Sequence, residues 1–156
     1  MPLAWRELTD LARTDLEKAT ARARHDCEAE LRLLASDPER WLGDWEVTAP
    51  LADRAIVADP AIRAMYVESC REATVEGYAR DLLILTALPW GFRLDDVAVP
   101  SFLWHGEEDT AVPVEVARWA VRRLPLCEAR IAPGEGHLLV HPRAGEILGT
   151  LAGSLT

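Results

Sequence analysis

The sequence has few cysteines, no long apolar run and no cluster of basic residues, and each absence excludes a class of protein. Three cysteines in 156 residues are too few for a disulfide scaffold. No apolar stretch approaches the roughly 20 residues with which a helix crosses a bilayer. The 17 basic residues are outnumbered by 26 acidic ones and form no run that could neutralise phosphates. We therefore predict that neither nucleic acid nor a membrane is a partner.

The cysteines and the first residues bear on where the protein resides. Cys27, Cys70 and Cys127 lie far apart and are odd in number, which favours reduced thiols in buried positions. The residues after Met1 lack the basic region and apolar run that are typical of a secretory signal. These features together predict a cytoplasmic location.

What is present is an ordinary globular composition with a helical first half. The chain is 49% hydrophobic and 28% charged, and its length suits one domain or a small domain with an appendage. Over residues 1–88, apolar side chains recur every three or four positions, the spacing of an amphipathic helix. Asp37-Pro38 and Asp59-Pro60 each place an N-cap acceptor before a proline suited to the first helical position. This region is predicted to form about four helices.

The pattern changes over residues 89–156. Residues 97–104 are rich in valine and aromatic side chains, which suits a strand buried on both faces, and a proline inside the run moves the strand's start to Ser101. A helix is expected after Val112, a second strand over residues 128–132, and a last helix from Pro142. The order strand, helix, strand, helix predicts a parallel βαβα unit and an α/β fold class.

Two polar residues follow the two predicted strands. Asp109 comes five residues after the first strand, and His137 follows the second. The carboxyl ends of neighbouring parallel strands meet at one edge of a sheet, where ligands bind. A buried carboxylate that holds one ring nitrogen of a histidine leaves the other nitrogen as a general base. Asp109 and His137 are therefore candidate catalytic residues.

These residues stand in two motifs that resemble the carboxyl-terminal part of the α/β-hydrolase superfamily. In that family a strand ending in HG-x-x-D carries the catalytic acid, and G-x-G-H carries the catalytic histidine. Here the motifs read HGEED and GEGH, so the resemblance implies that Asp109 is the acid and His137 the base. The resemblance is strong over residues 88–151. Residues 1–88, with their EGYARDLL segment and the LPWGF approach over residues 88–92, look like the cap that such enzymes insert before the last strands.

The sequence departs from the family at the nucleophile. Members carry a serine in a G-x-S-x-G turn upstream of the cap. None of the four serines here, Ser36, Ser69, Ser101 and Ser154, has glycine two residues away on both sides, and no cysteine lies in such a turn. The chain is thus similar to a truncated α/β-hydrolase with the acid and histidine of a Ser-His-Asp type triad but no nucleophile. The resemblance implies hydrolysis of a small ester-like or amide-like substrate once the missing half is supplied.

Three functional hypotheses remain open. The chain is half of a hydrolase, inactive without its nucleophile half; or a noncatalytic binding or interaction module that retains the fold; or an enzyme with another nucleophile. A two-stranded sheet leaves edges that invite pairing, so we expect self-association, a partner or partial disorder. For the first hypothesis the other partner is a small-molecule substrate.

No cofactor and no metal are expected. His137 and His141 are four residues apart, but Leu138 stands where the zinc-protease motif has glutamate. His105 is interpreted as a loop histidine packed on the sheet. Trp41, Trp45 and Trp90 could line a substrate pocket, although packing between helices is the simpler interpretation for each.

Overall fold

The computed structural model describes residues 3–71 and 73–154, which divide into two compact units. The helical unit comprises Met1–Val47 and Arg63–Arg93, and the strand unit comprises Thr48–Ile62 and Leu94–Thr156. A cap-like region and a core divided at residue 88 stay a prediction. The packing adds that residues 48–62 belong with the strands.

The elements follow one another in the order that the sequence predicts, helices first and strands later. The helices are α1 (Leu3–Thr14), α2 (Leu16–Ser36), α3 (Pro38–Thr48), α4 (Leu51–Val57), α5 (Pro60–Arg71), α6 (Val75–Thr86), α7 (Val114–Val121) and α8 (Val140–Gly153). The strands are β1 (Ser101–Gly106) and β2 (Cys127–Ala132), and a short 3-10 helix spans Leu94–Asp96. No helix within the described ranges is long and apolar enough to cross a bilayer.

Residues 3–71 and 73–86 form six helices, more than the four or so predicted, because a polar N-cap residue ends one helix and begins the next. Asp15 has extended backbone angles, and its carboxylate accepts a hydrogen bond from the Lys18 N–H, which begins α2. The two predicted helix starts are confirmed. Asp37 accepts from the Arg40 N–H at 3.0 Å, and Asp59 accepts from the Ala61 N–H at 2.8 Å.

The helical unit has an apolar core where α1, α2 and α6 meet. Small side chains allow the helices to approach closely, and larger ones fill the remaining space; the buried members are Leu8, Ala19, Ala23, Cys27, Ala79 and Leu83. Cys27 is a free buried thiol, as expected, whereas Cys127 is a free thiol in an intermediate position. The side chain of Cys70 lies outside the described residues.

The strand unit holds a parallel pair of strands. The register runs from Ser101 opposite Cys127 to Gly106 opposite Ala132, and α7 connects the strands and packs against both. This is the predicted βαβα order. The side chains of β1 up to His105 are half-buried rather than buried on both faces, because the sheet in the described chain contains two strands only.

Candidate active site

The loop after β1 brings Asp109 to the carboxyl end of the sheet. The Glu107 N–H donates to the Ala132 carbonyl at 3.0 Å, and the Glu108 N–H donates to the Glu135 carbonyl at 2.9 Å. These bonds join the two loops that follow β1 and β2. Gly106 is needed between them, because a Cβ at this position would collide with the backbone oxygens of Glu135 and Gly136. The two loops therefore lie side by side.

The Asp109 carboxylate is buried, with only 3% of its side chain exposed, and is fully engaged. One oxygen, Oδ1, accepts hydrogen bonds from the N–H groups of Ala111 and Val112, each at 2.8 Å. The other oxygen, Oδ2, lies 2.9 Å from Nδ1 of His137. Backbone donors thus fix the carboxylate in the position from which it contacts the imidazole.

His137 lies in the loop after β2, and its side chain is 46% exposed. Because the Asp109 carboxylate accepts a hydrogen bond, Nδ1 carries a proton and Nε2 is the nitrogen that can accept one. The structure therefore brings together the two residues that the sequence predicted, in the arrangement of a carboxylate that orients a general base.

The electrostatics of this pair favour its ionised form. Burial by itself raises the pKa of Asp109, but the hydrogen bonds from His137, Val112 and Ala111, together with the charge of His137, outweigh it and lower the pKa below 3.8. The hydrogen bond to Asp109 raises the pKa of His137 above 6.5 against the opposing effect of burial, and the charges of Asp109 and Asp53 add to the rise. The pair suits a site in which imidazolium must be stabilised.

A third carboxylate, that of Asp53 on α4, contacts the His137 loop. Its Oδ2 accepts from the His137 N–H at 2.8 Å, and its Oδ1 accepts from the Leu138 N–H at 3.0 Å. Its fully buried position was not predicted, because an acid in the first turn of a helix is ordinarily an exposed partner of the helix dipole. The sequence contains no other signal for it.

An ion-pair network ties α8 to the same loop. Arg143 pairs with Glu135, two residues before His137, at 3.0 Å, and with Glu146 at 2.8 Å. Hydrogen bonds from Arg143, Arg130 and Trp104 lower the pKa of Glu146 to about 2. These residues were also missed, since charges spaced along a helix usually mark a solvated face.

Of the other residues that the sequence singled out, His105 and Trp90 make hydrogen bonds to backbone carbonyls, and Trp41 lines a cavity. His105 was predicted to lie in a loop, but it lies within β1 because the strand pairing continues past Trp104, with His105 opposite Ile131. Its Nε2 donates to the Val112 carbonyl at 2.9 Å. Among the residues that the structure describes, no group of three or more histidine, cysteine or acidic side chains could hold a metal ion. In the helical unit, Trp41 lines a cavity of about 170 Å³, and the Trp90 indole donates to the Ile84 carbonyl at 2.9 Å.

The four serines all make local hydrogen bonds. Each hydroxyl donates to a backbone carbonyl two or three residues earlier: Ser36 to Leu33, Ser69 to Tyr66, Ser101 to Val99 and Ser154 to Leu151. Three of them lie within or at the end of a helix, and Ser101 begins β1. None of the four stands in a strand-to-helix turn that would present a nucleophile.

Comparison with known proteins found solved structures of similar fold but no similar sequence. No family model matches the sequence, and no curated protein matches it. Three solved structures are similar: a bromoperoxidase from Bacillus anthracis (19% identity, TM-score 0.61), an esterase from Exiguobacterium antarcticum (15%, 0.57) and MenH from S. aureus (19%, 0.56). They cover 83%, 84% and 88% of this chain.

The chain spans about half the length of these structures: 48% of the bromoperoxidase, 47% of the esterase and 52% of MenH. All three are α/β-hydrolases. The likeness confirms the predicted fold class, a partial α/β-hydrolase fold.

Proposed function

We propose that this chain, which has part of an α/β-hydrolase fold, supplies the acid and the base of a hydrolytic triad. Asp109 is the acid and His137 the base. The observation that supports the proposal is the 2.9 Å contact between Asp109 Oδ2 and His137 Nδ1, with Asp109 Oδ1 held by two backbone N–H groups. The substrate class is a small ester or amide.

In the proposed reaction, Nε2 of His137 takes the proton from a serine hydroxyl as its oxygen attacks the substrate carbonyl. Asp109 stabilises the imidazolium that forms. The bond from the carbonyl carbon to the leaving group then breaks, and Nε2 returns the proton to that group. Water hydrolyses the acyl-serine by the same proton transfers.

The serine nucleophile is proposed to come from a segment outside these 156 residues. Two observations support this: the four serine hydroxyls donate to nearby backbone carbonyls, and the chain spans about half of each similar structure. The β1–β2 pair has unpaired edges in the described chain, where further strands of a parallel sheet could add.

The test is hydrolysis of p-nitrophenyl butyrate by the chain within its full natural reading frame, or mixed with a neighbouring gene product that carries G-x-S-x-G. We expect turnover, and we expect His137→Ala to reduce kcat by about 10⁶-fold, the effect that loss of a triad histidine has in a serine hydrolase. His25→Ala, on the exposed face of α2, is the matched control and should retain full activity.

A fluorophosphonate probe provides a second measurement. The completed protein should be labelled and the 156-residue chain alone should not, since the nucleophile is supplied from outside. Full hydrolytic activity in His137→Ala would refute the proposal. A completed protein with no hydrolysis of esters or amides would instead favour a noncatalytic binding module.

A further inference from the structure

One buried charge in the strand unit has no part in the Asp109–His137 contact itself. Asp53 is 0% exposed, and both of its carboxylate oxygens accept backbone N–H bonds from the loop after β2. A carboxylate without hydrogen bonds would be very unfavourable in such a position. The side chain is therefore held by its contacts with residues 137 and 138, the first of which is the proposed base.

The geometry of Gly136 supports a specific fit between this carboxylate and the loop. A Cβ on Gly136 would collide with the Asp53 carboxyl group, so the loop backbone approaches the acid as closely as only glycine permits. The backbone oxygens of Glu135 and Gly136 in the same loop lie close to Gly106. The backbone just before His137 is thus confined by contacts with both Asp53 and Gly106.

We propose that Asp53 is a positioning residue that fixes the backbone at His137, so that the imidazole meets Asp109. This inference rests on the proposed function, because it assigns His137 the role of base. The hydrogen bonds of Asp53 go to backbone N–H groups and not to the imidazole ring. Asp53 acts through the two N–H groups, which set where the Cα of His137 lies and from which direction its ring approaches the Asp109 carboxylate.

The charged and titratable groups around His137 come from several elements. Asp109 lies in the loop after β1, His105 on β1 has its Nε2 3.6 Å from the Asp109 carboxylate, and Asp53 is on α4. Within the His137 loop, Glu135 is paired with Arg143 of α8. A substitution at Asp53 removes its charge and retains these other groups. The contribution of Asp53 to the pKa of the His137 imidazole can therefore be measured by itself.

The test is nuclear magnetic resonance of the full chain carrying Asp53→Asn, which keeps the shape of the side chain. We expect the His137 and Leu138 amide protons to exchange roughly 10- to 100-fold faster, the factor expected for loss of a hydrogen bond to a charged acceptor. The imidazole of His137 should also titrate at lower pH. The matched control is Asp59→Asn, since Asp59 is an exposed carboxylate of the same unit that accepts N–H bonds from Ala61 and Ile62.

Unchanged exchange of both amides and an unchanged imidazole titration in folded Asp53→Asn would overturn the inference. If that variant does not fold, Gly136→Ala, which displaces the carboxylate, is expected to produce the same two changes. The wild-type chain decides in any case: if its His137 and Leu138 amides exchange as fast as unbonded loop amides, Asp53 does not hold the loop.

These measurements need no turnover and so separate the two proposals. Slow exchange at His137 and Leu138 with no hydrolysis by the completed protein would refute the proposed function alone. Hydrolysis that depends on His137, with kcat and its pH profile unmoved by Asp53→Asn, would refute the positioning role alone.

Discussion

Both units carry ion pairs at the surface, but among the described residues the buried charged side chains lie in the strand unit. In the helical unit, ion pairs such as Arg22–Asp26 and Arg24–Glu76 lie at the surface, with each side chain about half or more exposed. In the strand unit lie the two buried charged residues of the described chain, Asp53 and Asp109. Each of these carboxylates accepts two backbone N–H bonds.

The difference indicates what each kind of charge does. An exposed ion pair gains little, because water screens it and two long side chains must be ordered. A buried carboxylate that accepts backbone hydrogen bonds fixes the loop that donates them. Here one such loop contains His137 and the other contains Asp109, which contacts the His137 ring. The strand unit thus uses buried charge to define a local geometry, whereas the helical unit is held mainly by its apolar core.

The largest effect on stability is expected for Asp53→Ala. It leaves the His137 and Leu138 N–H groups without their acceptor, and at about 1–3 kcal/mol for each unsatisfied group the total is about 2–6 kcal/mol. Hydrogen exchange by mass spectrometry should show lost protection over residues 127–139. Asp26→Ala, the exposed counterpart on α2, should change protection there by less than about 0.5 kcal/mol. Equal effects of the two variants would remove the distinction between the units.

A somewhat smaller effect is expected for Gly106→Ala. The new methyl group would meet backbone oxygens of Glu135 and Gly136, which cannot rotate away, at a cost of about 1–3 kcal/mol. Gly145→Ala on α8 meets nothing within 4 Å and should stabilise the helix by about 0.5–1 kcal/mol. Urea unfolding measures both. A neutral Gly106→Ala would mean that the two loops are not in contact in solution.

The dependence of stability on pH should come from the Asp109–His137 pair. The lowered pKa of Asp109 contributes stability that is present above 3.8 and is lost as the pH falls through the folded value. The raised pKa of His137 contributes stability that is present below 6.5 and is lost as the pH rises through its folded value. Both contributions are complete between pH 3.8 and 6.5. Urea unfolding at pH 6 and pH 9 should show a fall for the wild type that His137→Ala lacks.

For the proposed hydrolytic function, the same shift predicts how activity depends on pH. Only neutral imidazole accepts a proton, so kcat/KM should rise with pH through a midpoint above 6.5. A midpoint at or below 6.5 would contradict the hydrogen bond between Asp109 and His137 as the dominant influence on the ring.

The smallest effect is expected in the helical unit, at the Arg24–Glu76 pair. Its side chains are 54% and 69% exposed, so a double-mutant cycle with Arg24→Ala and Glu76→Ala should give a coupling below about 1 kcal/mol. The coupling should fall further at high salt. A value of several kcal/mol would show that the helical unit also depends on specific charge contacts.

Local signals in the sequence were sufficient for most of the fold. The Asp37 and Asp59 helix starts were predictable because an N-cap acceptor acts within three residues. The division between α1 and α2 at Asp15 could not be predicted, because the apolar spacing of α1 continues into α2 and a single aspartate does not interrupt it. The parallel pairing followed from the element order, which leaves few topologies for two strands joined by a helix.

Only the residues of the candidate site that lie in sequence motifs could be predicted. Asp109 and His137 stand at strand ends, where chemistry is expected, and the structure brings them into contact. The role of Asp53 depends on a tertiary contact with the loop after β2. No periodicity, cap or motif in the sequence encodes that contact, because its partners are backbone N–H groups that every residue except proline possesses.

The Asp53 hydrogen bonds also bear on the order in which the strand unit folds. Paired residues of β1 and β2 lie 26 positions apart, whereas the Asp53–Leu138 bond joins residues 85 apart. Closing the longer loop costs roughly 1 kcal/mol more in chain entropy. From this difference in chain entropy we expect the strands to pair before α4 docks. In a stopped-flow refolding experiment with pulsed hydrogen exchange, the amides of residues 137 and 138 should become protected after those of β2.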